Sequence, residues 1–242
     1  MSDILSWIRV EGPFLIGHRG YAAEARENTP PAFEAALEAG CDGVELDARM
    51  SRDGVALVHH DAEARSSGQT LVLADRSFEA LRDTRFEGRG GPYRIHSLTE
   101  VLRGLAGRCL INVEAKPAAP EFRQRTAAAI YEAVEKVRPR ESVLVSSFDP
   151  ELLLALHRYD NALALGFLFA SLKDLNHLED EPVVDLLTSI HPRHNLVDAK
   201  LMRRAAERGL QVHAWTADDP AEIQWLTDLG VTAVITNRPI QS

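Results

Sequence analysis

Short apolar runs alternate along the chain with longer stretches in which apolar positions recur every three or four residues. Runs rich in Val, Ile, Leu or Phe read as strands, and the longer periodic stretches as amphipathic helices. Strands are expected at 14–17, 43–47, 110–114, 142–146, 163–168, 185–190, 211–215 and 233–236. Helices are expected at 29–39, 121–137, 150–158, 199–208 and 220–229, several opened by Asn, Asp or Thr ahead of Pro, with Gly40, Gly209 and Gly230 as their carboxyl-terminal stops. Strand and helix alternating from end to end mark an α/β chain with a mostly parallel sheet. No linker or low-complexity stretch divides it, so residues 1–242 are read as a single (β/α)8 TIM-type barrel domain.

One run breaks the order. Residues 55–59 follow the second strand after only Ser51-Arg52-Asp53-Gly54, and Asp-Gly is a hairpin turn. Folding back there sets Asp47 opposite His59 or His60, so the segment reads as a β-hairpin excursion above the barrel. The region 61–93, with Ser66-Ser67-Gly68 and Gly88-Arg89-Gly90-Gly91, is the least regular and is read as loops on the same rim.

The polar residues that look out of place end the strand runs: His18-Arg19, Glu45 and Asp47, Glu114 and Lys116, Ser147-Phe148, His191, Trp215-Thr216 and Asn237-Arg238. In a (β/α)-barrel the carboxyl ends of the strands converge on the face that holds the active site. Residues two apart on a strand share a face, which pairs Glu45 with Asp47 and Glu114 with Lys116. A carboxylate taken singly more often pairs with arginine or caps a helix. Three on neighbouring strand ends repel one another, and one hard divalent cation with oxygen ligands, Mg²⁺ or Ca²⁺ with Mn²⁺ as a substitute, holds them together.

Composition narrows the partners. The chain carries 27 basic and 36 acidic residues, a net charge of −9 without a basic block, which speaks against a nucleic-acid partner. Cys41 and Cys109 show no metal spacing and are read as reduced, partly buried thiols, as in a cytoplasmic protein. The amino-terminal residues 1–10 lack a signal pattern, and the longest apolar run, 162–170, is too short to span a bilayer, so no membrane insertion is expected. Oligomeric state is not legible.

His18-Arg19-Gly20, Glu27-Asn28-Thr29, Pro31-Ala32-Phe33, Glu45-Leu46-Asp47, Asp53-Gly54, His60-Asp61, Glu114-Ala115-Lys116, Ser146-Ser147-Phe148 and Trp215-Thr216 together resemble the glycerophosphodiester phosphodiesterase family, in order and from Gly17 to Pro239. The resemblance implies an enzyme with a barrel fold and a divalent metal, hydrolysing small-molecule glycerophosphodiesters to sn-glycerol 3-phosphate and an alcohol. By the same resemblance His18 and His60 match the catalytic histidines, Glu45, Asp47 and Glu114 the metal ligands, and Arg19 and Lys116 the phosphate-contacting cations. Phe148 and Trp215 stand as apolar walls for the substrate. Arg26, Ile95-His96 and Ala217-Asp218 depart from the family pattern and touch none of these positions. Two other functions are weighed: a phospholipase-like activity on lysolipid or sphingolipid, disfavoured by polar or small rim segments at 65–68 and 89–92, and an inactive barrel acting as a binding module, disfavoured by the full set of acids and histidines.

Among the remaining candidates, strand alternation sends His59 away from His60. His157, His177, His194 and His213 are read as surface or packing residues, and His191 either lines the pocket or forms a turn with Pro192. Asn28 is expected to cap the helix that follows, with a place near the metal as its secondary role.

Overall fold

The computed structural model describes residues 7, 13–89, 91–178 and 181–238; Gly90, Pro239 and most of the amino-terminal stretch, all used in the sequence reading, lie outside the described residues. The strands are β1 (Phe14–Gly17), β2 (Gly43–Met50), β3 (Ala56–Val58), β4 (Glu63–Ser66), β5 (Gln69–Val72), β6 (Leu110–Ala115), β7 (Val143–Ser147), β8 (Ala164–Phe169), β9 (Ser189–Pro192), β10 (Gln211–Trp215) and β11 (Ala233–Thr236). The helices are α1 (Pro30–Glu38), α2 (Phe78–Asp83), α3 (Leu98–Leu105), α4 (Arg123–Val134), α5 (Pro150–Tyr159), α6 (Leu172–Leu178), α7 (Ala199–Glu207) and α8 (Pro220–Asp228).

Eight strands run parallel in the order β1-β2-β6-β7-β8-β9-β10-β11, and β11 pairs back onto β1 to close a TIM-type barrel. Helices lie between the strands and cover the outside, where Val44, Leu46, Ile111, Val113, Val145 and Leu165 enter the main apolar core. Local chemistry starts these helices. Pro30 and Pro31 open α1, Ser97 and Glu100 form a reciprocal capping box on α3, and Asp149, Asp198 and Asp219 cap α5, α7 and α8.

β3 leaves the barrel as expected, antiparallel to β2 with Ala48 facing Val58 and Met50 facing Ala56. The region beyond is more ordered than the sequence reading held. β4 and β5 form a second hairpin turned by Ser67 and Gly68 at φ of 50° and 74°, and Leu57, Ala64, Leu73, Leu81, Phe86 and Ile95 make a small core of their own. The sixth expected strand is also corrected. Of the segment 185–190 only Ser189 and Ile190 belong to a strand, because residues 182–186 wind into a 3₁₀ turn that packs Val183 and Val184 into the outer core.

Cys41 and Cys109 are free and buried, and burial pushes both thiols up to about 12. Among the described residues, no helix is long and apolar enough to cross a membrane.

Candidate active site

Inward-facing residues of the barrel change character along each strand. The lower turn of the interior is apolar: Phe14, Ile16, Leu110, Leu144, Ala233 and Ile235 close around Trp7. Further along the same face, just past β1 and towards the carboxyl ends of β2 and β6, stand His18, Glu45, Asp47 and Glu114, with Asp47 and Glu114 directly paired across the sheet.

His18 and Arg19 follow β1 in a tight loop. Arg19 and Asn28 sit in the left-handed region, at φ of 53° and 57°, where a residue with a Cβ is strained. Hydrogen bonds hold the loop: the Arg19 amide donates to Glu45 Oε2 at 3.0 Å, and the Asn28 amide donates to the Arg19 carbonyl at 3.0 Å. Gly20 is required here, since a Cβ would meet the Ala32 backbone at 2.5 Å.

Glu45, Asp47 and Glu114 are buried and bring one oxygen each to within 4.8 Å of one another. Lys116 Nζ lies 2.7 Å from Asp47 Oδ1 and 2.6 Å from Glu114 Oε1, while Arg19 Nε lies 3.2 Å from Asp47 Oδ2. Asn28 clamps Asp47 from the other side, its Nδ2 donating to Oδ2 at 2.7 Å and its Oδ1 accepting from the Asp47 amide at 3.1 Å. Burial opposes ionisation of Asp47, but Lys116 and Arg19 outweigh it and hold the carboxyl below its ordinary value. For Glu45 the help from Lys116 and the Arg19 amide is outweighed. Burial, then Asp47, then Glu114 push its carboxyl well above the ordinary value, and its Oε1 is buried without a hydrogen-bond partner. Glu114 is raised by burial and Asp47. An all-oxygen donor set with an orphaned, charge-starved oxygen fits a hard divalent cation.

The two histidines approach from different elements. The Asn237 Nδ2 donates to Asp218 Oδ2 at 2.9 Å, which orients the amide so that Oδ1 accepts from His18 Nδ1 at 2.6 Å. The other ring nitrogen, Nε2, therefore stays free on the side of Glu45 Oε2, 3.9 Å away. Burial, then Arg19, lower the His18 pKa and favour the neutral ring. His60 arrives from the excursion, its Nδ1 2.8 Å from Asp61 Oδ1.

His18, Arg19, His60, Glu45, Glu114 and Lys116 line one cavity of ≈ 260 Å³, together with Phe148 and Trp215, whose rings meet edge to face at 5.6 Å. Every residue expected from sequence at the site is thus at or beside this cavity, Asp47 lying beneath it against Lys116. His59 turns away, with Nε2 2.8 Å from the Tyr93 hydroxyl. His191 lies under the pocket, buried against Ser189 and His213, and does not form a turn with Pro192.

Asn28 is a correction. Thr29, in extended conformation, occupies the cap position of α1, and Asn28 serves Asp47 instead. Asn237 stood among the polar strand-end residues, but its pairing with Asp218 and with His18 joins segments that the sequence does not connect.

A sequence model described as the Glycerophosphoryl diester phosphodiesterase family matches residues 18–241. A glycerophosphodiester phosphodiesterase of Caldanaerobacter subterraneus subsp. tengcongensis is 26% identical, over 93% of this chain and 94% of its own length. A human lysophospholipase D is 27% identical over 93% of this chain and 83% of its own. Among solved structures, a phosphodiesterase of Oleispira antarctica in complex with the product sn-glycerol-3-phosphate superposes with a TM-score of 0.79 at 22% identity, covering 94% of each chain.

Proposed function

Since the chain belongs to the glycerophosphoryl diester phosphodiesterase family, we propose that it hydrolyses glycerophosphodiesters to sn-glycerol 3-phosphate and an alcohol, with a divalent metal and a pair of histidines. The observation that carries the reading is the meeting of His18 and His60 with Arg19, Lys116 and three buried carboxylates around one cavity. Glu45, Asp47 and Glu114 would hold the cation, Mg²⁺ or Ca²⁺ by the all-oxygen donor set, and it supplies Lewis-acid stabilisation of charge on the phosphoryl group.

The remaining steps belong to the chain. Arg19 and Lys116 bind the phosphoryl oxygens through charge-assisted hydrogen bonds. The glycerol hydroxyl next to the ester oxygen is tethered to the phosphorus and is a better-placed nucleophile than water. His18, neutral and with Nε2 free, takes its proton as oxygen bonds to phosphorus. His60, paired with Asp61, gives a proton to the departing alcohol as the second P–O bond breaks. The cyclic phosphate is then opened by water with the roles reversed: His60 accepts the proton of water and His18 returns one to the glycerol oxygen. Phe148 and Trp215 form the apolar wall against the substrate, and Asn237 keeps His18 in the working tautomer.

The test is a turnover assay with glycerophosphocholine after chelation and add-back of Mg²⁺, Mn²⁺ or Ca²⁺. His18→Ala and His60→Ala should each lose about 10²–10⁴-fold in kcat while still binding metal. A diester lacking the adjacent hydroxyl should bind and react slowly; rapid hydrolysis of it would sink the cyclic route.

A further inference from the structure

A second cavity, of ≈ 290 Å³, lies between the β2–β3 hairpin and the start of α4. The charged part of its lining is Arg49, Arg52, Lys116 and Arg125, without one acidic residue, in a chain whose net charge is −9. Arg49 Nε donates to the His60 carbonyl at 2.6 Å, and Arg125 Nη2 donates to the Arg52 carbonyl at 3.2 Å. Among the described residues, neither these two nor Arg52 has a carboxylate at ion-pair distance. Three arginines therefore line one space with no carboxylate paired to them there; Arg52 and Arg125 are exposed at its mouth, while Arg49, half-buried, feels Asp47, Asp61 and Glu114 only from a distance.

The two cavities adjoin. Lys116 lines both, and His60, whose carbonyl receives Arg49, faces the catalytic one. A diester held at Lys116 would therefore border the arginine-lined cavity. On the opposite flank, beyond Phe148 and Leu168, the charged residues are of the other sign, Asp174 and Glu181. Asp174 is already used, accepting from the Ser171 amide at 3.1 Å, whereas the arginines are bound only to carbonyl oxygens.

We propose that the arginine-lined cavity receives the alcohol side of the diester and selects alcohols that carry a second phosphate group. The inference rests on the diesterase reading above and names its substrate class. Arg52 and Arg125, at the mouth, are the specificity-determining pair; Arg49, tied to His60, links occupancy of the cavity to the position of the proposed acid.

The experiment compares kcat/KM on glycerophosphoglycerol with that on the same diester bearing a terminal phosphate monoester, with glycerophosphocholine and micellar lysophosphatidylcholine as further arms. The intact protein should favour the phosphorylated diester by about tenfold or more at low ionic strength, mostly through KM. Arg52→Ala/Arg125→Ala should bring that ratio close to one, and Arg52→Lys/Arg125→Lys should keep most of it, which separates charge from loss of the Arg125 hydrogen bond. Equal rates on the two glycerol diesters, a ratio untouched by the alanine pair, or a preference for choline or lysolipid would overturn the proposal. Failure to turn over any diester would overturn the diesterase reading and this one with it, whereas turnover without preference removes this one alone.

Discussion

The two ends of the barrel interior are built from the same strands and follow opposite rules. At the amino-terminal end the inward side chains are apolar or neutral and pack against one another. Trp7 fills the opening, its indole donating to the Ser142 carbonyl at 3.1 Å and its ring stacking on His213 at 5.1 Å. Above it the buried polar groups are neutral: Ser189 bonds His191 at 2.8 Å, and at the wall of the catalytic cavity itself Ser146 donates to Asn112 at 2.9 Å. Gly166 makes room for that histidine, since a Cβ there would lie 2.3 Å from the ring. At the carboxyl end the groups are charged, like charges crowd, and Glu45 keeps an oxygen with no partner. A protein tolerates such an arrangement where a ligand completes it, so the contrast marks one end as stability and the other as chemistry.

The largest effects should be a reciprocal pair. Glu45→Gln should cost at least about 100-fold in metal-dependent turnover, yet raise the melting temperature measured in chelator, because it removes one of three mutually repelling carboxylates. Ile16→Ala, one layer down on β1, should do the reverse: about 2–5 kcal/mol of stability lost, read by denaturant unfolding, with kcat/KM changed by no more than a few-fold. If Glu45→Gln lowered stability in chelator, the carboxylates are held by the protein alone and the contrast between the two ends fails.

A change of pH sharpens the comparison at the middle of the barrel. Burial lowers the pKa of His213 to about 3, and burial with the neighbouring His213 takes His191 well below its ordinary 6.5. Both rings stay neutral in the folded chain and gain protons only on unfolding. The unfolded chain thus binds more protons at every pH between 6.5 and the folded values. The stability these groups give is complete above 6.5 and is lost as pH falls through that window, by about 1.4 kcal/mol per pH unit for each histidine. His213→Phe, which keeps a ring against Trp7, should shed one histidine's share of that slope. Parallel slopes for the two proteins between pH 6.5 and 5 would show that His213 protonates in the folded state.

Much of this was legible in the sequence, because the period of two on each strand already separates the outer face from the inner. Glu45 and Asp47, two apart on one strand, read as sharing a face, and Val44 and Leu46, alternating with them, take the outer core. The Asp53-Gly54 turn placed the excursion, and the pairing of Asp47 with the His59 amide, 3.0 Å from its carbonyl, follows from it. What the sequence concealed depends on contacts distant along the chain. Asn28 looks like a helix cap because its neighbours are Thr and Pro, and only the approach of β2 shows it clamping Asp47. Residues 182–186 carry the apolar content of a strand but bury it as a single turn against α5. The β4–β5 hairpin carries its turn at Ser67-Gly68, but its flanks, such as Glu63, Arg65 and Gln69, are too polar to announce strands.

The smallest expected effect falls where the two ends meet. Trp215 lines the candidate site's cavity, yet its Nε1 donates to the His191 carbonyl at 2.7 Å, a bond that reaches from the upper layer into the one below. Trp215→Phe keeps an aromatic face toward Phe148 and removes the donor. The lower layer should register the loss of one hydrogen bond, about 1 kcal/mol of stability. In the upper layer the ring, no longer pinned, packs less firmly against the substrate, which should raise KM by about two- to fivefold while kcat holds, the signature of binding shared equally by ground and transition states. A fall in kcat at constant KM would instead place Trp215 in contact with the charge that develops during the reaction, and would move the boundary between the two ends one residue down β10.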